Sequence, residues 1–160
     1  MVNQRSNGKV VGIYIASRRG DPTQPREQIH VLAGRGIEGD RYFHSPEDQP
    51  DRTGTQITFI EQETIDAMCR DGVEISPDQT RRNIVTQGVA LNELVGKKFS
   101  VGNIQLRGIR LCEPCDYLAS RTHPQVKQSM AHRGGLRADI LADGYIHLND
   151  TITTSHKEST

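Results

Sequence analysis

The residues best suited to chemistry are Cys112 and Cys115, the two ends of the run Cys112-Glu113-Pro114-Cys115. Thiols at this spacing can share a metal ion, close a reversible disulfide, or act as a nucleophile with a helper. A closed zinc site needs four ligands, and the sequence holds no second such pair. His123 and His132 stand nine residues apart, wider than zinc-finger spacing. A thioredoxin-like site wants its first thiol at a helix N-terminus in a βαβ setting, which the pattern here does not supply. Two readings outweigh these without closing them: a thiolate that binds metal or accepts sulfur, and a pair of partly buried thiols with no task. The third cysteine, Cys69, falls on the apolar face of a helical stretch and reads as inert core.

Three cationic loops surround this run in the sequence. Gly34-Arg35-Gly36-Ile37-Glu38-Gly39-Asp40-Arg41 follows a strand and has three glycines within six residues, so its backbone can approach a ligand and present N–H groups. A plain glycine-rich turn is the simpler reading, with Asp40 and Arg41 paired at the surface for little gain. Arg81-Arg82-Asn83 enters another strand. Its planar forks suit phosphate or carboxylate, and Asn83 can donate and accept; a solvated arginine pair is the alternative. His132-Arg133-Gly134-Gly135-Leu136-Arg137 is the third. Together the loops describe one pocket with a soft thiolate at its centre and cations around it. That pocket suits an anionic, phosphate-bearing, thiophilic ligand.

The elements that must position these loops are mostly strands. Period-two patterning marks 9–16, 28–33, 55–60 and 83–86. Strands over 98–101 and 104–111 flank Gly102-Asn103, and strands over 138–141 and 145–148 flank Asp143-Gly144, both hairpin signals. Helical pattern is scarcer. It covers 61–70, with Ile65, Met68 and Cys69 on one face, and 124–131, with Pro124 in the first turn. Residues 92–95 read as a single turn. The fold class expected is mainly β with a few short helices, an antiparallel barrel or sandwich. The organisation expected is one domain over 9–152 between flexible polar tails at 1–8 and 153–160.

Composition narrows the function class. The chain has 160 residues, 34% of them apolar, with 20 basic and 20 acidic side chains. Balanced charge removes any global argument for nucleic-acid or membrane-surface binding, so a basic site must be local. No apolar run is long enough to span a membrane, and the polar N-terminus lacks a signal-peptide pattern. Three cysteines, an odd number, fit a reducing compartment, and a cytoplasmic location is expected.

The ordered set of motifs resembles the MOSC domain, the module found at the C-terminus of molybdenum cofactor sulfurases, in amidoxime-reducing components and as small standalone bacterial proteins. The motifs are the Gly36…Gly39-Asp40-Arg41-Tyr42 loop, the run from Thr55 to Glu61, and Arg81-Arg82-Asn83-Ile84-Val85. They continue with the stretch from Gly88 to Gly102, Pro114-Cys115, and the run from His132 to Ile140. The resemblance extends from about Val10 to Ile152 and implies a MOSC-type β-barrel. It also implies that Cys115 matches the family's characteristic cysteine, a molybdenum ligand or persulfide-forming thiolate. By the same resemblance, Gly39, Asp40, Arg41, Arg81, Arg82, Asn83 and Arg133 contribute to the site of a molybdopterin-type cofactor.

Flanking Arg82 and Arg133 are then expected to favour the thiolate and to bind the cofactor's phosphate. Cys112 reads as an accessory. Some relatives suggest reduction of N-hydroxylated compounds or sulfur transfer, with an electron-transfer or sulfurase partner. The chain shows neither the partner barrel of the amidoxime reducers nor a desulfurase domain, so it is expected to hold the cofactor loosely, receive it, or pass sulfur on. Two other readings stay open: a metal-free adaptor docking a sulfurase or reductase, and a zinc-stabilised structural barrel.

Overall fold

The computed structural model describes residues 5–44, 53–112, 130 and 132–155. Cys115, His123 and all but Met130 of the helix expected over 124–131 lie outside the described residues. Among the described residues there are eleven strands: β1 (Arg5–Ile15), β2 (Gln24–Pro25), β3 (Gln28–Leu32), β4 (Gly36–Ile37), β5 (Ile57–Glu61), β6 (Ile84–Gln87), β7 (Lys98–Val101), β8 (Ile104–Leu111), β9 (Leu136–Ile140), β10 (Gly144–His147) and β11 (Thr151–Ser155). The described residues also form one α-helix, α1 (Gln62–Arg70), and two short 3₁₀ turns, Pro77–Thr80 and Leu91–Leu94.

Seven strands close a barrel in the order β1-β11-β7-β8-β9-β5-β6 and back to β1. All neighbours are antiparallel except β5 and β6. That parallel step is bridged by α1, as a parallel pair demands a crossover. The mainly-β barrel expected from sequence is therefore the architecture observed.

Alternation fills the barrel. Val10 and Ile13, Phe59, Phe99 and Val101, Leu106, Leu136 with Ala138 and Ile140, and Ile152 all belong to one buried cluster. Strand β5 departs from alternation, being buried at Ile57, Thr58, Phe59 and Ile60 in succession. The reason is that both its faces are covered. Phe59 faces the barrel, while Ile60 joins Ile65, Met68, Val73, Ile75, Val85 and Met130 in a second cluster beneath α1.

Three expectations need correction. Asp143-Gly144 does not close a hairpin: β9 pairs with β5 and β8, whereas β10 leaves to pair with β3 in a small sheet. The Asp143 carboxylate instead accepts the Ala33 amide at 2.7 Å, across a gap of 110 residues. The tails are shorter than expected, since β1 from Arg5 to Lys9 pairs with β11 from Ser155 back to Thr151. Cys69 is exposed rather than core. The buried stripe of α1 is Thr64, Ile65 and Met68, and Cys69 lies one step round the helix from it.

Candidate functional site

The expected loops do converge, at one end of the barrel. Their frame begins with Ser76-Pro77-Asp78-Gln79. Ser76 and Gln79 form a reciprocal capping box, and Pro77 opens the turn where its missing N–H costs nothing. The turn ends on Arg81 in the left-handed conformation, φ 62°. The Thr23 hydroxyl donates to the Asp78 carbonyl at 2.8 Å, fastening the 17–23 loop to this turn.

From that turn the two arginines diverge. Arg81 donates from Nη1 to the Asp21 carbonyl at 2.8 Å and lines a cavity of about 330 Å³ with Arg19, Gly20, Arg41 and Tyr42. A neighbouring cavity of about 180 Å³ shares Arg19, Arg41 and Tyr42 and adds Phe43, Thr55 and Arg137. Four arginines therefore surround this space. Tyr42 meets two of them, with the Arg19 and Arg41 guanidinium carbons 5.4 and 4.7 Å from its ring centroid. Among the described residues, neither Arg19 nor Arg137 has an acidic partner.

Asp40 and Arg41 do pair, but not at the surface. Their side chains are 1% and 4% exposed, and Arg41 Nη1 meets Asp40 Oδ1 at 2.9 Å. The same oxygen accepts the Ala16 amide at 3.1 Å, just past the end of β1, and Arg41 Nη2 donates to the Arg81 carbonyl at 2.9 Å. The pair thus ties three chain segments together and holds Arg41 at the cavity wall. Gly39, with φ 89°, supplies the left-handed step that delivers Asp40 to this position.

Arg82 and Asn83 turn inward, contrary to the open anion-binding role expected of them. Buried Arg82 donates Nε to the Gly134 carbonyl at 2.8 Å, Nη2 to the Cys112 carbonyl at 3.0 Å, and Nη1 to the Thr80 carbonyl at 3.2 Å. It is a brace, and its fork is spent on backbone. Asn83 Oδ1 accepts the Thr58 amide at 3.1 Å and Nδ2 donates to the Tyr14 carbonyl at 3.1 Å, locking β5, β6 and β1. Arg133 points its guanidinium to Asp71 beyond the end of α1, an exposed pair at 3.2 Å, and does not line the cavities.

The brace fixes where the chain leaves β8. Cys112 is buried, its carbonyl held by Arg82 and its amide donating to the Gly135 carbonyl at 2.8 Å. Gly135 is required here: φ is 116°, and a side chain would run into the Phe59 carbonyl of β5. Cys115 follows this anchor by three residues, a covalent reach of about 10 Å at most. Among the described residues no group of three or more His, Cys, Asp or Glu is placed to hold a metal ion; Cys115 and His123 lie outside them.

Sequence reasoning missed Arg19 and Phe43 altogether, and Thr55, which opens the run to Glu61, had no assigned role. Tyr42 and Arg137 were within the motifs but had no assigned role. No helix among the described residues is long and apolar enough to cross a membrane.

Comparison with known proteins now decides the family. The MOSC domain model matches residues 43–153. The chain belongs to the MOSC domain family. This family is associated with molybdenum cofactor metabolism. No curated protein sequence matches the chain. Among solved structures, the YuaD protein of Bacillus subtilis is similar with a TM-score of 0.77 at 19% identity, covering 98% of this chain and 100% of that one. YiiM of Geobacillus stearothermophilus gives 0.67 at 14% identity, covering 92% and 75%, and YiiM of Escherichia coli gives 0.64 at 18%, covering 98% and 72%. At these identities the likeness is one of fold, and the MOSC barrel expected from the motifs is the fold shared.

Proposed function

We propose that this MOSC protein binds the molybdenum cofactor at the arginine-lined cavities and presents Cys115 as the thiolate that ligates the metal or carries sulfur as a persulfide. The observation that carries the reading is the convergence of Arg19, Arg41, Arg81 and Arg137 on one space. Asp40, beside this space, is already paired with Arg41.

The donor set fits a phosphate-bearing pterin. Arginine forks bind phosphate oxygens through paired, charge-assisted hydrogen bonds. A space of about 330 Å³ falls at the small end of ligand sites. Arg19 and Arg137 are the residues to grip the phosphate. Arg41 and Arg81, already tied to Asp40 and to the Asp21 carbonyl, hold the wall in shape. When bound, the cofactor would supply a metal able to accept sulfur or electrons.

Arg82 and Asn83 belong to this reading as positioning residues rather than ligands. Arg82 sets the carbonyl of Cys112 and so the starting point of the segment bearing Cys115. A soft, polarisable thiolate suits both molybdenum and sulfane sulfur. The test is elemental analysis of anaerobically purified protein from cells that make the cofactor. Cys115→Ser is expected to lose molybdenum, or sulfane sulfur transferred from a low-molecular-weight persulfide donor that leaves as its thiolate, with the melting temperature unchanged, and Arg19→Ala/Arg137→Ala to lose bound pterin. An unchanged molybdenum and sulfur load in Cys115→Ser would remove the role assigned to Cys115.

A further inference from the structure

The outer face of β7, β8 and β9 carries a strip of cations that reaches well beyond the cavities. Between Glu93 and Glu113 the sequence has Lys97, Lys98, Arg107 and Arg110 and no acid. The strand register sets Lys98 directly across from Arg107, and Arg110 across from Arg137. Their neighbours Phe99, Leu106 and Leu136 are buried in the barrel, so Lys98, Arg107, Arg110 and Arg137 share the outward face, and exposed Lys97 lies one residue before β7 beside it. Lys97, Lys98, Arg107 and Arg110 are exposed.

Like charges directly opposite each other weaken an antiparallel pair, and here the arrangement occurs twice. Asp139 of β9, opposite Arg107, is the acid of this ladder. Its Oδ1 is already taken by the Gly54 amide at 2.7 Å. Among the described residues, none of Lys97, Lys98, Arg107, Arg110 and Arg137 forms an ion pair. Asp139 offsets part of the repulsion at Arg107, but one acid among five cations leaves the face net positive, and folding gains little from it. Such a face is open to an acidic partner outside the fold.

We propose that the strip is a docking surface for a protein partner bearing a carboxylate-rich face. Size favours a protein over a nucleic acid. The two like-charge pairs lie three residues apart along β8, roughly 10 Å, which spans an acidic patch but falls short of the six to ten phosphates that drive nucleic-acid binding. The chain's formal net charge of zero adds no long-range pull on a polyanion. Position gives the docking a purpose. Arg137 belongs both to the strip and to the cavity wall, so a partner seated on the strip sits at the edge of that space. The docking itself does not depend on which ligand the cavity takes.

The test is fluorescence anisotropy with three probes: a labelled deca-glutamate peptide, a labelled single-stranded oligonucleotide of equal charge, and labelled vesicles of anionic phospholipid. The peptide is expected to bind wild type more tightly than the other two, and less tightly as salt rises. Lys97→Glu/Lys98→Glu is expected to weaken peptide binding about tenfold, from two attractions replaced by two repulsions. Arg26→Glu/Arg70→Glu, exposed and off the strip, is expected to leave it within about twofold.

Lys98→Glu alone turns the pair with Arg107 attractive and is expected to raise the melting temperature by roughly 1–4 °C while weakening the peptide. Weaker binding by a better-folded variant cannot come from damage to the fold. Tighter binding of the oligonucleotide or the vesicles overturns the proposal. So does peptide binding that Lys97→Glu/Lys98→Glu leaves intact, or that inorganic phosphate alone abolishes by way of the cavity.

Discussion

Replacing Asp40 by alanine probes the joint that holds the cavity wall. The Asp40–Arg41 pair is nearly dry, with side chains 1% and 4% exposed, so solvent screening gives no discount. Removing one partner of a buried pair costs about 3–5 kcal/mol, because the other charge is left uncompensated. Arg41 keeps the Arg81 carbonyl and the Tyr42 ring, which places the cost at the low end. The Ala16 amide, also buried, loses its acceptor and adds about 1 kcal/mol. A total of about 3–4 kcal/mol follows, or a melting temperature lower by roughly 6–16 °C for a chain of this size. Calorimetry on Asp40→Ala, Arg41→Met and the double variant measures it. The double variant is expected to lose at least about 1 kcal/mol less than the two single losses added together. Additive losses, or an Asp40→Ala cost below about 1 kcal/mol, would refute the buried joint.

Two other changes test the frame around it. Arg82→Met removes the fork that serves Cys112, Gly134 and Thr80, leaving three carbonyls short of a donor. It is expected to cost about 3–5 kcal/mol and to speed hydrogen exchange at the Cys112 amide, whereas an unprotected wild-type amide would contradict the brace. Glu61 is half-buried, and that burial pushes its carboxyl above the ordinary value near 4.5, with Glu63 adding to the rise and the Leu91 amide opposing it. A carboxyl raised on folding binds more protons in the native state, so its contribution falls as pH rises from the ordinary value through the folded one. Glu61→Gln should therefore gain stability relative to wild type as pH rises above the ordinary carboxyl value near 4.5, and a difference flat in pH would contradict the burial.

The barrel was largely legible because its signals are local and periodic. Gly102-Asn103 between two alternating runs does form the β7–β8 hairpin, and the 61–70 pattern does form α1. Asp143-Gly144 carries an equally good local signal, yet β10 pairs with β3, more than a hundred residues earlier, and nothing local reports that. Cys69 was misplaced by one position at the edge of a narrow apolar stripe.

The site was legible by loop but not by role. The arginine-bearing loops were found, and Arg41 and Arg81 do meet at the cavity. Which guanidinium faces the space and which is spent on backbone depends on contacts between distant segments. Arg81 and Arg82 are adjacent in sequence and identical in type, and only the fold separates cavity wall from brace. Arg19 carries no pattern of its own and joins the site because the 17–23 loop is fastened to the Asp78 turn. Cys115, the centre of the reading from sequence, lies outside the described residues. Its role rests on the motif and on the anchor at Cys112.

The most direct test of the account is molybdenum and pterin content, measured together on protein purified anaerobically from a cofactor-producing host. Wild type is expected to carry both, Arg19→Ala/Arg137→Ala to lose the pterin and the metal with it, and Cys115→Ser to lose the metal or its sulfur. Wild-type levels of molybdenum, sulfur and pterin in all three proteins would contradict it.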